Sequence, residues 1–169
     1  VNAAGLAVVV RTGSAADTRA LGRRLAGLLE AGDVVALSGE LGTGKTCLVQ
    51  GIAEGLGVAE DEEVRSPTFT LIHEHRGRLP LYHLDLYRLG DPASLPDVGW
   101  DAAVGAGGIA VIEWAERAAA WLPPDRLDIA LAWQGATDRE VRVAPRGRSW
   151  AGRLARLRGL GGRDREERA

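Results

Sequence analysis

Two kinds of apolar pattern alternate along this chain. Val34-Val35-Ala36-Leu37 and Ile109-Ala110-Val111-Ile112 are unbroken apolar runs, as expected of strands covered on both faces in the middle of a parallel sheet. Leu21, Leu25, Leu28 and Leu29 instead recur at helical spacing. They predict a helix that opens at Ser14-Ala15-Ala16-Asp17, which has the spacing of a capping box, and ends near Gly32. Leu6 to Arg11 reads as a first strand, and a second helix runs from Lys45 to about Leu56. Thr68 to His75 and Leu81 to Leu86 alternate as two strands joined by the hairpin-sized Arg76-Gly77-Arg78-Leu79-Pro80. Asp91 to Val104 suits one or two short helices around Pro92 and Pro96. Ala115 to Trp121 is helical up to Pro123-Pro124, and Leu127 to Trp133 and Glu140 to Val143 are two more strands.

This order predicts an α/β fold, a single domain over residues 1–148 with a mixed, mostly parallel sheet flanked by helices. From Ser149 the chain turns Arg- and Gly-rich. Trp150, Leu154 and Leu157 are spaced for a short amphipathic helix, and a disordered tail is expected from about Gly161. Six arginines after Pro145 (Arg146, Arg148, Arg153, Arg156, Arg158 and Arg163) are expected to be solvated, with contact to nucleic acid or an acidic partner as the competing role.

Composition narrows the function classes. A chain of 169 residues can bury a core without disulfides or a structural metal. Its net charge of -2 argues against wholesale electrostatic binding to nucleic acid. One cysteine, Cys47, leaves no intrachain disulfide and fits a reducing compartment. The apolar run Leu6 to Val10 is too short to span a bilayer, so a cytoplasmic protein is expected. Val1 stands where an initiator methionine would, which suggests an alternative start codon or a trimmed chain; intact mass distinguishes them.

Lys45 is the one lysine beside twenty arginines. It lies in Gly39-Glu40-Leu41-Gly42-Thr43-Gly44-Lys45-Thr46, a match to the P-loop pattern that this composition would produce by chance about once in a thousand such chains. The flanking strand and helix supply the required context. In such a loop, backbone amides and the following helix dipole neutralise a polyphosphate. Gly42 and Gly44 keep side chains away from it, Lys45 reaches the β- and γ-phosphates, and Thr46 ligates Mg²⁺. Glu113, ending the second apolar run, is the carboxylate expected to complete the Mg²⁺ site, although most P-loop proteins place Asp there. Ser66-Pro67-Thr68 and Asp85 are candidates for positioning the attacking water or sensing the γ-phosphate. His83, Asp85 and Tyr87 share one face by alternation, which equally suits the solvated face of an edge strand.

Together with Ser66-Pro67-Thr68-Phe69-Thr70-Leu71, His83-Leu84-Asp85-Leu86-Tyr87-Arg88-Leu89 and Ile112-Glu113-Trp114, the P-loop makes the chain resemble the bacterial TsaE (YjeE) family from about Ser14 to Val143. The resemblance implies an ATPase using ATP and Mg²⁺ in support of a TsaB–TsaD complex. That complex forms threonylcarbamoyladenosine at position 37 of tRNAs reading ANN codons, so tRNA is met only through it. By resemblance, Glu40, Leu41, Gly42, Thr43, Gly44, Lys45, Thr46 and Cys47 hold nucleotide, Thr46 and Glu113 hold Mg²⁺, and Asp85 joins Lys45 and Glu113 as a catalytic group. Thr68 lies in a switch-like segment, Trp114 near the nucleotide, and Arg139 matches an arginine that recurs late in the family. Cys47 departs from the family's second Thr, which weakens any contact of that hydroxyl with an α-phosphate. Two other functions fit the motifs: a small-molecule kinase with Asp85 as base, and a binding module that nucleotide gates without turnover. A GTPase is disfavoured because no N-K-x-D segment exists.

Overall fold

The computed structural model describes residues 7–67, 69–105 and 107–161. Its strands are β1 (Val8–Thr12), β2 (Val34–Ser38), β3 (Ile72–Arg76), β4 (Pro80–Asp85), β5 (Ile109–Glu113), β6 (Arg126–Trp133) and β7 (Arg139–Arg146). They form one sheet in the order β1-β7-β6-β2-β5-β4-β3. The central block β6-β2-β5-β4 is parallel, and β3 and β7 run against it. β1 is antiparallel to β7 and so points the same way as the block. The sheet is therefore mixed and mostly parallel, as the sequence pattern predicts.

The two apolar runs are central because both of their faces are covered. Val35 and Leu37 of β2 and Ile109 and Val111 of β5 pack beneath helices α1 (Ala15–Ala26) and α2 (Lys45–Gly55). Val34, Ala36, Ala110 and Ile112 enter a second cluster on the other face with Leu84, Leu95 and Trp100. That face is covered by 3-10 turns at Pro92–Val98 and Ala115–Trp121 and by α3 (Trp100–Gly105). Ser14 caps α1 by accepting from the Asp17 amide at 3.1 Å. The helix stops at Ala26, short of Gly32, and Leu28 and Leu29 are buried by the connection that follows it. Helices α1 and α2 approach so closely that a Cβ on Gly51 would lie 2.1 Å from the Arg19 carbonyl oxygen. Only glycine permits that crossing.

The first strand of the hairpin is shorter than its alternation suggests. Residues 69–71 form a turn in which Leu71 takes φ 61, and the Leu71 carbonyl accepts from the Asp85 amide at 3.0 Å. Strand β4 lies between β5 and β3, so it is not an edge strand. His83 and Asp85 are buried on its helix-covered face.

The segment after β7 packs into the larger core cluster through Trp150, Leu157 and Leu160. It contains a 3-10 turn (Ala151–Arg153) and α4 (Leu154–Arg158). Arg153 is not solvated. Its guanidinium grips both oxygens of Asp33, donates to the Leu28 carbonyl at 3.0 Å and stacks 3.8 Å over the Trp150 ring. Arg146 stays half exposed and pairs with Asp128. Arg163 and the tail from 162, with Thr68 and the Leu154 side chain, lie outside the described residues. Truncating the Trp150 ring should cost about 3–5 kcal/mol. Urea unfolding of Trp150→Ala is the measurement, with nucleotide affinity preserved because Asp33 and Trp150 lie at the opposite edge of the sheet from Gly39–Thr46. A midpoint equal to that of the parent chain would mean that the segment is an appendage.

Candidate nucleotide site

Parallel strands β2, β4 and β5 all end at one edge, the usual place for a ligand crevice in an open α/β sheet. Register fixes what meets there: Glu113 of β5 lies between Leu37 of β2 and Asp85 of β4. The loop from Ser38 then turns into α2 over the same edge. Gly39, Gly42 and Gly44 adopt φ 141, 79 and 100, values that side chains rarely allow. A Cβ on Gly39 would also sit 2.5 Å from the Leu131 carbonyl oxygen. The first amides of α2 have no carbonyl one turn back to bind, which leaves them directed at the crevice.

The resulting cavity measures about 400 Å³ and is lined by Leu41, Gly42, Gly44, Lys45, Thr46 and Cys47 from the loop and helix. Ser66, Asp85, Tyr87, Glu113 and Trp114 close the other side. A larger concavity of about 710 Å³, under Arg19, Glu54 and the acidic loop that carries Glu60, Glu62 and Glu63, holds none of the candidate residues.

Lys45 donates to the carbonyls of Gly39 at 2.7 Å and Glu40 at 2.8 Å, with its ammonium 4.0 Å from the Trp114 ring centre. Burial lowers its pKa from the ordinary lysine value, opposed by the charges of Glu113, Glu116 and Asp85. The Thr46 hydroxyl donates to Glu113, 2.9 and 3.1 Å from its two oxygens. His83 Nε2 lies 2.8 Å from Glu113 Oε1. One hydroxyl and one carboxylate converging at the start of a helix are an all-oxygen donor set that suits Mg²⁺, which completes its octahedron with waters and phosphate oxygens. The residues thus fit the ion, and they would hold it through Thr46 and Glu113.

Asp85 accepts from the Tyr87 amide at 2.9 Å and from the Ser66 hydroxyl. Burial raises its pKa above the usual carboxylate value. The Tyr87 hydrogen bond opposes this, Glu113 adds to it, and His83 and Lys45 oppose it. Trp114 stands at φ 56, a backbone region costly for an aromatic residue. That conformation turns its ring over Lys45 and against Tyr87, with ring centres 5.0 Å apart. Cys47 is half-buried at the cavity wall, its thiol donating to the Ala15 carbonyl. Glu40 and Leu41 are exposed at the rim, and Thr43 is buried beneath it. Arg139 donates to the Thr43 carbonyl at 2.9 Å and stacks 4.4 Å over Trp133.

These sequence candidates come together; Thr68 lies outside the described residues. Sequence reasoning passes over Trp133, whose ring lies 3.7 Å from where a Cβ on Gly42 would stand. Its place at the end of an ordinary alternating strand carries no local signal. The link from His83 to Glu113 is likewise invisible until β4 and β5 are paired.

A family model described as threonylcarbamoyl adenosine biosynthesis protein TsaE matches residues 12–141. The chain belongs to the TsaE family. A curated TsaE from Treponema pallidum is 47% identical over 131 residues, covering 78% of this chain and 96% of that protein. The Bacillus subtilis TsaE is 41% identical over 132 residues, 78% and 81% of the two chains. Both are named as tRNA threonylcarbamoyladenosine biosynthesis proteins. The crystal structure of YdiB from Bacillus subtilis superposes with a TM-score of 0.76 at 34% identity, covering 89% of this chain and 95% of that one. The TsaE match ends on β7, so the Trp150–Arg153 anchor lies beyond it. Among the described residues no helix is long and apolar enough to cross a membrane.

Proposed function

We propose that this TsaE protein binds Mg-ATP and hydrolyses it in support of a TsaB–TsaD complex that forms threonylcarbamoyladenosine at position 37 of ANN-decoding tRNAs. The observation that carries the reading is the convergence of Lys45, Thr46, Glu113 and Asp85 on one cavity behind a loop of positive-φ glycines. Lys45 and the α2 amides hold the phosphates. Thr46 and Glu113 hold Mg²⁺, which neutralises charge developing on the phosphoryl oxygens. Asp85, fixed by Ser66 and Tyr87, orients the attacking water. Trp114 shields the ammonium and excludes bulk water, which strengthens each of these interactions. Cys47 costs some affinity and leaves the hydrolytic groups untouched, and Arg139 braces the loop through Thr43.

The test is ATP turnover by the chain alone, with TsaB–TsaD, and with TsaB–TsaD and tRNA. Slow turnover alone that accelerates with the partners is expected. Phosphate delivered to an added metabolite would favour a kinase. Nucleotide-dependent docking on the partners without phosphate release would favour a gated binding module.

A further inference from the structure

His83 is fully buried, and its Nδ1 has no hydrogen-bond partner among the described residues. An unsatisfied buried nitrogen costs about 1–3 kcal/mol, and leucine occupies positions 81 and 84 of the same strand. The polar contact that offsets this cost is Nε2 to Glu113 Oε1 at 2.8 Å. An ionised carboxylate only accepts, so with Glu113 in that form Nε2 carries the shared hydrogen. The same carboxylate takes the Thr46 hydroxyl, 2.9 Å from Oε1 and 3.1 Å from Oε2. Its rotamer is thus pinned between a strand histidine and a helix threonine. His83 is seated in turn by His75, whose ring centre is 6.4 Å away and whose Nδ1 meets Glu62 of the acidic loop at 2.5 Å.

We propose that His83 is a positioning residue for the reaction: it holds the Glu113 carboxylate in the orientation that a divalent cation requires, without touching nucleotide itself. The inference rests on the proposed reading of Thr46 and Glu113 as the cation's ligands. Outer-shell partners of this kind set metal affinity by about 10- to 100-fold, whereas nucleotide binding without metal depends on Lys45 and the loop amides.

The experiment titrates Mg²⁺ into each protein at fixed fluorescent ATP analogue and measures analogue affinity separately in EDTA. His83→Leu should raise the Mg²⁺ midpoint about 10- to 100-fold while EDTA affinity stays within about twofold. His83→Gln can place an amide N–H near the Nε2 position and should recover most of the loss. His83→Asn reaches only the Nδ1 position and should not. The Gln–Asn comparison keeps the test valid if the Leu variant fails to fold. Equal midpoints for Gln and Asn, or parallel shifts with and without metal, overturn the positioning role. A parent protein whose analogue affinity ignores Mg²⁺ overturns the cation reading itself, which is a different failure.

Discussion

Lys45→Ala is expected to lower affinity for ATP by about 100- to 4,000-fold. Removing one partner from a desolvated charge pair costs about 3–5 kcal/mol, and each 1.4 kcal/mol is tenfold in the dissociation constant. The ammonium already sits among acceptors, between the carbonyls of Gly39 and Glu40 and beneath the Trp114 ring. Phosphate oxygens would replace those weak partners with charged ones. Lys45→Arg should fail nearly as badly, because a planar fork cannot enter a slot shaped for a point charge.

The loss should not come from unfolding, and linkage gives the sign. Burial holds the Lys45 pKa below its unfolded value, so the charged form is disfavoured in the fold. Stability therefore rises with pH between the folded pKa and 10.5, and below the folded pKa the fold carries the full cost of the charge. Alanine removes that cost along with two hydrogen bonds, and the melting temperature should change little. Calorimetric titration with ATP beside a thermal melt checks both halves. Unchanged affinity in a folded Lys45→Ala protein would remove the basis for reading this loop as a phosphate site.

What the sequence makes legible follows the range of the interactions involved. The P-loop and the strands Val34–Ser38 and Ile109–Glu113 are readable because burial on both faces writes itself into consecutive residues. The neighbours of β1 are not readable: it pairs with β7, from the far end of the chain. Alternation in β4 could not separate an edge strand from an internal one, since pairing with β3 and β5 is settled by packing. Arg153 looked like one more solvated arginine. Its burial depends on Asp33, distant in sequence, and on an aromatic face three residues before it. In the candidate site, residue types and spacing named Lys45, Thr46 and Glu113, and left Asp85 open until the resemblance to the TsaE family favoured it. The supporting contacts of Ser66, His83 and Trp133 come from non-local geometry that spacing does not encode.

Asp85→Asn should lower ATP turnover by about 10²- to 10⁴-fold, the range for a positioned proton acceptor, and leave ATP affinity within a few-fold. The amide can still accept from the Tyr87 N–H and can donate to the Ser66 hydroxyl, so the local fold persists while the negative charge is lost. Wild-type turnover should carry an acid limb at higher pH than an ordinary carboxylate gives, because burial raises the Asp85 pKa. The residual activity of Asp85→Asn should lack that limb. Stability should move the opposite way. A carboxyl whose folded pKa exceeds its unfolded value destabilises the fold as pH rises from 3.8 through the folded pKa, and the full penalty persists above it. The asparagine variant should therefore melt no lower than wild type at pH 7, with any advantage shrinking as the medium is acidified towards pH 4. A stable variant that hydrolyses ATP at the wild-type rate would take the water-positioning role away from Asp85. In a variant both inactive and markedly less stable, its burial would have to be read as structural.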